Sequence, residues 1–193
     1  MQSRLRSLCL AALCLSPLAA LAQEPFEVGA YGPAQSVADT LRDFAHTDGA
    51  FITAGLLKAS AQRDNLAALL QFPSDDLVVV KLTGAQLKQA FERSLSVYPM
   101  PNSSFLQLSG FEVSFNGSAM VGQRVKSASA SGMPLDPART YTVAMPAMLG
   151  RGGFGYFKIW DKANISQTIS GANLEAILKG KPVQESSPRW SGS

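Results

Sequence analysis

The amino-acid sequence predicts a mixed α/β fold in a single domain. Apolar residues recur at helical spacing in some segments and alternate with polar residues in others, which argues against an all-helical or an all-strand protein. Residues 77–82 form a nearly continuous apolar run with three β-branched valines, which is typical of a strand covered on both faces. A helix-capping pattern at Thr83 follows directly, so strand and helix alternate along the chain.

Four elements are expected in the first half of the chain. Residues 37–44 predict a short amphipathic helix, because their apolar side chains fall on one helical face. Residues 49–53 favour a buried strand, and residues 65–70 favour a second helix. We expect the strand at residues 77–82 to be central in its sheet, since almost all of its side chains are apolar.

The helix after this strand has a clear start. Thr83 can cap the helix and Gln86 can reach back to the cap, which together form a capping box. One helical face then carries the apolar side chains of Leu87, Ala90, Phe91 and Leu95.

Residues 111–115 and 141–145 alternate in polarity, so each predicts a strand with one apolar face. Residues 172–178 predict a last short helix.

Residues 1–22 predict a secretory signal peptide. Arg4 and Arg6 precede an apolar run that ends in a small-x-small cleavage site. The run is shorter than the roughly 20 residues that span a bilayer, so a cleaved signal is favoured over a membrane anchor. We therefore expect export to the periplasm or the extracellular space, with one domain over residues 23–180. Residues 181–193, rich in Ser, Pro and charge, predict a flexible tail.

Charge and cysteine content exclude several kinds of partner. Cys9 and Cys14 both lie in the signal segment, so the exported protein would hold no thiol for a disulfide or a metal. Lys and Arg total 17, and two of them lie in the signal, which leaves 15 basic against 14 acidic residues. This balance provides no basic patch. We therefore expect neither nucleic acid nor, after signal cleavage, a membrane as partner.

Residues that could carry catalysis are few. The chain has one histidine, His46, so a His-rich metal site is excluded and a Ser-His-Asp triad would depend on this residue alone. We expect His46 at a helix C-terminus, where the helix dipole favours a partly positive imidazole. Asp75 and Asp76 fit acid/base chemistry, a metal site or a turn, and the turn is favoured by the nearby Pro73. We predict no catalytic residue, no metal and no cofactor.

A glycine-rich stretch follows the last predicted strand. Residues 150–155 satisfy Gly-x-Gly-x-x-Gly, the pattern of dinucleotide-binding turns. That fold would also place the motif in the first strand-turn-helix unit and add an acidic residue at the end of a second strand, and neither condition holds. The Gly-Lys-Ser/Thr ending of a phosphate loop is also missing. The glycines would still allow backbone N–H groups to approach a ligand or a neighbouring strand.

Three segments in fixed order carry a family resemblance. They are residues 82–92, which open on Leu-Thr-Gly, residues 105–115, and Tyr-Thr-Val-Ala-Met-Pro at residues 141–146 followed by the glycine loop and Tyr156. Together they resemble the C-terminal, substrate-recognising domain of the 5'-nucleotidase family, over about residues 47–178. That family pairs this domain with an N-terminal dimetal phosphoesterase domain, which nothing on this chain resembles. The resemblance implies a four-layered α/β fold.

The resemblance also implies a place for a nucleobase, which the family holds between two aromatic side chains. One of the pair matches Phe72, where this chain has Leu-Gln-Phe-Pro and the family usually has Leu-Pro-Phe. Its partner, a phenylalanine shortly before the glycine loop, falls on Met148. A methionine can pack on a ring edge but gives up the stacked geometry of an aromatic pair.

The polar binding residues of the family are replaced in this chain. The family asparagine and arginine fall on Asp48 and Thr53, which removes a bidentate guanidinium and adds a negative charge. The loop aspartate that would hold the ribose hydroxyls falls on Phe154, whereas Gly152 and Gly153 of the loop are retained. Tight recognition of a nucleotide is therefore not expected.

These replacements leave three hypotheses for function. The first is an exported, non-catalytic module that binds a nucleoside-like small molecule or docks onto a separate metallophosphatase protein. The second is one half of a split nucleotide hydrolase, with the metal ligands on that separate subunit. The third is a structural or interaction protein of the cell envelope, in which Phe72 and Phe154 are core or interface aromatics. A changed ligand in a more apolar pocket is a variant of the first.

Overall fold

The computed structural model describes residues 25–60 and 62–192, so the predicted signal peptide lies outside the described residues. This part of the chain forms nine strands and four α-helices. The strands are β1 Gly49–Thr53, β2 Asp76–Thr83, β3 Leu106–Ser109, β4 Phe111–Phe115, β5 Val125–Ala130, β6 Met133–Pro134, β7 Thr140–Pro146, β8 Ile165–Asn173 and β9 Trp190–Gly192. The helices are α1 Gly32–Ala45, α2 Gly84–Ser94, α3 Ala147–Gly150 and α4 Leu174–Leu178. The mixed α/β class is as predicted.

The strands form two mixed sheets. The five-stranded sheet has the order β3-β1-β7-β2-β8, in which β1 and β7 are parallel and the other neighbours are antiparallel. The four-stranded sheet has the order β6-β5-β4-β9, in which β4 and β9 are parallel. Strand β2, predicted as central, is an interior strand one place from the centre, which β7 occupies.

Helix α2 lies between the two sheets. Its Phe91 ring packs 6.1 Å from Phe51 of β1 and 6.1 Å from Phe111 of β4, measured between ring centroids. Because side chains alternate along a strand, Ala50 and Ile52 face the other side of the five-stranded sheet, where α1 packs against β1 and β3. The order of layers is therefore helix, sheet, helix, sheet.

Local patterns predicted the elements at the centre of this arrangement. Strand β1 covers the predicted residues 49–53, and all five of its residues are buried. The capping box of α2 is present, since Thr83 Oγ1 accepts from Gln86 N–H at 3.2 Å and Gln86 Oε1 accepts from Thr83 N–H at 2.9 Å. His46 lies at the C-cap of α1, as predicted.

Other elements differ from the predictions in extent or kind. Helix α1 begins at Gly32, earlier than predicted, with a proline in its first turn, where the missing N–H leaves no helical bond unmade. The predicted helix at residues 65–70 is the 3₁₀ helix Leu66–Leu69. Helix α4 begins two residues later than predicted because Asn173 caps it, and the residues before it belong to β8.

The end of the segment that was predicted as a flexible tail packs against the rest of the domain at residues 189–192. Trp190 is 5% exposed and pairs with Val113 of β4, and its indole N–H donates to Leu106 O at 2.8 Å. Arg189 forms a 2.8 Å ion pair with Asp39 of α1. The Ser- and Pro-rich composition gave no sign of these contacts, which depend on one buried aromatic side chain and one ion pair.

Candidate functional site

Most of the predicted site residues meet at one end of the five-stranded sheet. Strands β1 and β7 are parallel, so Thr53 at the end of β1 lies at the same sheet end as Met148, just after β7. Strand β2 runs the opposite way and pairs Leu77 with Pro146. The turn before β2, which carries Phe72, therefore reaches that end as well. We call this end, which carries Phe72, Thr53 and Met148, the turn end of the sheet.

A single carboxylate joins the turn before β2 to the helix after β7. Asp75 N–H donates to Phe72 O at 3.2 Å, which closes the turn. Asp75 Oδ2 accepts a 2.9 Å hydrogen bond from Met148 N–H, and its other oxygen accepts from Asp76 N–H at 3.0 Å. Asp75 O also accepts from Leu174 N–H at 3.0 Å. Asp75 thus closes a turn, which is the interpretation that the nearby Pro73 favoured.

The two apolar side chains carried by these joined segments are exposed. Phe72 is 46% exposed and Met148 is 38% exposed. Exposed large apolar side chains on neighbouring segments are a feature of ligand or partner surfaces. The hydrogen bond to Asp75 thus places the segments that carry these two residues next to each other.

The glycine loop packs closely on its own chain. A Cβ atom at Gly153 would lie 2.6 Å from Met148 O, too close for any side chain. Gly152 has φ of +87° and would place a Cβ 2.8 Å from Trp160 O. Both glycines are thus required by neighbouring backbone, and they set the position of the loop beside Met148.

Phe154 packs into the protein. A Cβ atom at Gly55 would lie 2.3 Å from Cε1 of the Phe154 ring, so the ring covers this glycine. Phe154 O accepts from Arg93 at 2.9 Å and from Ser104 Oγ at 2.7 Å. The half-buried ring contacts the core, in a position where the resemblance predicted a ligand-binding side chain.

Arg93 contacts the glycine loop through Phe154 and Tyr156. No pattern in the sequence indicated this role. Its guanidinium lies 5.8 Å from the centroid of the Tyr156 ring, in addition to its bond to Phe154 O. Tyr156 is fully buried and donates to Ser104 O at 2.6 Å, with Ser94 Oγ 3.2 Å from its hydroxyl. Burial raises the pKa of the Tyr156 phenol well above its usual range, against smaller lowering effects of Ser94 and Arg93.

Thr53 and Asp48 occupy opposite ends of β1. Thr53 is completely buried, and its hydroxyl has no hydrogen-bond partner among the described residues. Asp48 Oδ2 accepts from both the N–H and the hydroxyl of Thr142 at 2.8 Å, and its other oxygen lies 3.3 Å from Arg139. Asp48 therefore fastens the start of β1 to β7, and the structure does not bring it to the turn end.

Cavities large enough for a small molecule lie away from the turn end. One of about 740 Å³ is lined by α2 and β5, and another of about 570 Å³ lies between α1 and residues 181–189. Neither is lined by Phe72 or Met148.

In residues 25–60 and 62–192, no three His, Cys, Asp or Glu side chains are grouped so that they could hold a metal ion. No helix of the same residues has the length and apolar character to span a bilayer.

Comparison with protein families matches residues 22–161 to the family described as 5'-nucleotidase, C-terminal domain. A snake venom 5'-nucleotidase from Naja atra is 33% identical over 130 residues, which are 63% of this chain and 24% of the relative. A 5'-nucleotidase from Homo sapiens is 36% identical over 107 residues, which are 51% of this chain and 18% of the relative. The chain thus spans about a quarter or less of these relatives.

A solved structure has the same fold. The crystal structure of a 5'-nucleotidase precursor from Thermus thermophilus superposes with a TM-score of 0.70 at 22% sequence identity. The match covers 86% of this chain and 36% of that chain. At this identity the similarity concerns the fold.

Proposed function

Because the chain belongs to the 5'-nucleotidase C-terminal domain family, we propose that it is an exported, non-catalytic module that binds a nucleoside-like molecule through Phe72 and Met148. The observation that carries the proposal is the hydrogen bond from Met148 N–H to Asp75. It fixes the two segments that hold these side chains next to each other. A flat aromatic ring can then contact the Phe72 ring and the Met148 thioether.

The residues at the other family positions indicate which parts of a nucleotide this site does not contact. Thr53 is buried and carries no charge, so it cannot clamp a phosphate as an arginine does. The Phe154 ring covers Gly55, and the carboxylate that would hold ribose hydroxyls is missing. Asp48 is bonded to Thr142 at the far end of β1. The site therefore favours the base of a nucleoside over its sugar or its phosphate.

The expected affinity follows from these contacts. Stacking of a base on an aromatic side chain is worth about 1–3 kcal/mol. A sulfur–aromatic contact with Met148 adds about 0.3–1.5 kcal/mol. The two contacts together reach about 4 kcal/mol at most, which corresponds to a dissociation constant of about 1 mM, so we expect adenosine to bind in the millimolar range. AMP should bind no more tightly than adenosine, since no guanidinium at position 53 meets its phosphate.

Calorimetric titration of the purified protein with adenosine and AMP tests this proposal. Phe72→Ala should abolish the heat of binding. Phe44→Ala is a matched control, because Phe44 is 45% exposed on α1 and away from the turn end. Absence of binding up to millimolar adenosine, or equal binding by both variants, would rule out the proposed site.

A second candidate function is docking onto a separate metallophosphatase protein, as one half of a split nucleotide hydrolase. The observation that favours it is a third exposed apolar side chain beside the glycine loop. Phe157 is 63% exposed, and a Cβ atom at Gly152 would lie 2.9 Å from the Phe157 Cβ. Mixing the chain with such a protein should raise nucleotidase activity, and Phe157→Ala should weaken that gain. Unchanged activity on mixing would remove this candidate.

A further inference from the structure

The 740 Å³ cavity lies between helix α2 and the hairpin formed by β5 and β6. Its volume is in the range of about 300–1,000 Å³ that is usual for small-molecule sites. Most of its lining is apolar, contributed by Ala85, Val125, Ala128, Pro134, Leu135 and Pro137. Its lining includes Gly84 and Ala85 at the start of α2, after β2, whereas the Phe72 turn lies before β2. The cavity and the turn end are therefore at opposite ends of this strand.

Two lysines flank the apolar lining without carboxylate partners. Lys88 of α2 and Lys126 of β5 are both exposed and both line the cavity. Neither forms an ion pair with any residue in the described part of the chain. The cavity thus combines an apolar interior with two positive charges.

The acidic residue of the cavity lining is already bonded. Glu92 Oε1 accepts from Val125 N–H at 2.8 Å, and its Oε2 accepts from Arg124 N–H at 3.0 Å. These bonds fasten the start of β5 to α2. Glu92 lies one helical turn after Lys88, yet its carboxylate is directed to the backbone of β5.

The N-terminus of α2 does not supply a binding site for an anion. Gly84 N–H donates to Arg139 O and Ala85 N–H donates to Pro137 O, and the next N–H is capped by Thr83. The first N–H groups of the helix are therefore occupied. A negative charge in the cavity would have to be met by the two lysine side chains.

We propose that this cavity binds a small amphipathic anion, with an apolar body against the lining and one carboxylate between Lys88 and Lys126. Apolar burial provides most of the binding energy, because ligand carbon displaces water from Ala128 and Leu135. The two ammonium groups select the sign of the head group. Since both are exposed, each contributes modestly and the preference weakens as salt rises.

Titration with decanoate at low ionic strength tests the proposal, with decyltrimethylammonium as the ligand of equal chain length and opposite charge. We expect saturable binding of one decanoate per chain. The cationic ligand should bind at least about tenfold more weakly, which is about 1.4 kcal/mol. Equal affinities for the two ligands, or no saturable binding of decanoate, would overturn the proposal.

Variants locate the binding in this cavity. The double variant Lys88→Gln and Lys126→Gln should weaken decanoate binding by about tenfold, whereas Lys179→Gln, an exposed lysine near α4, should leave it unchanged. Ala85→Trp should block the cavity from its exposed rim, and circular dichroism would establish that this variant is folded. Full decanoate affinity in the double variant or in folded Ala85→Trp would contradict the assignment.

Discussion

Asp75 and Met148, 73 residues apart, are joined by a 2.9 Å hydrogen bond from the Met148 backbone N–H to the Asp75 carboxylate. This bond connects the turn that precedes β2 to the short helix that follows β7. Through it, the segments that carry the exposed side chains of Phe72 and Met148 are held next to each other. The proposed nucleoside site depends on this relationship.

Asp75→Ala should weaken adenosine binding severalfold and lower the free energy of unfolding by about 1 kcal/mol, the usual net value of a protein hydrogen bond. The reason is that Met148 N–H loses its acceptor and the two segments separate. Urea denaturation and calorimetric titration measure the two effects. Asp64→Ala is the control, since Asp64 is exposed and makes no side-chain hydrogen bond among the described residues. Full adenosine affinity in Asp75→Ala would contradict the role of this carboxylate.

Phe154→Ala should reduce stability without reducing nucleoside affinity. The ring covers Gly55 and is half-buried, so its removal should cost about 2 kcal/mol, less than the 3–5 kcal/mol of a fully buried phenylalanine. Thermal or urea unfolding measures the first effect, and adenosine titration measures the second. A large loss of adenosine affinity in a folded Phe154→Ala protein would show that this ring contacts the ligand.

Trp190→Ala should destabilise the protein by about 3–5 kcal/mol, the range for a large buried aromatic side chain. The indole packs 4.9 Å from the Phe105 ring, between centroids, and bonds Leu106 O. Urea denaturation provides the measurement, and Glu185→Ala, 96% exposed at its side chain, is the control in the same segment. If both variants unfold at the same urea concentration, the segment does not contribute to the core.

Stability should fall in alkaline solution because of Tyr156. Burial holds the pKa of this phenol above its usual range, so the folded protein keeps the proton that the unfolded chain loses above about pH 10. The free energy of unfolding is therefore fully retained below that pH and declines as pH rises further. Urea denaturation from about pH 8 to about pH 11 should show this decline, and Tyr156→Phe should show a shallower one. Equal slopes for the two proteins would contradict the assignment.

Local sequence patterns were sufficient to predict the elements whose structure is determined by residues close to them in the sequence. The apolar run of β2 and the capping box at Thr83 belong to this group. Pairings between distant segments could not be predicted. Strand β9 is three residues long and depends on β4, and nothing near Trp190 in the sequence indicates that partner.

The candidate site shows the same division. Family motifs indicated Phe72 and Met148, but the bond that joins their segments is long-range and involves a backbone N–H, which leaves no sequence signal. The family motif also included Asp48, which lies just before β1, whereas Thr53 is the last residue of that strand. Arg93 was missed because its partner is the Phe154 carbonyl, which any residue type provides.

The most direct test of the central claim is the NMR signal of the Met148 methyl group in methyl-labelled protein during addition of adenosine. The methyl group should shift through the ring current of the base, and the shift should vanish in Phe72→Ala but persist in Phe44→Ala. The exposed methionines Met100, Met120 and Met133 are internal controls that should not move. A Met148 signal that stays in place at millimolar adenosine, or that moves together with these three, would contradict binding between Phe72 and Met148.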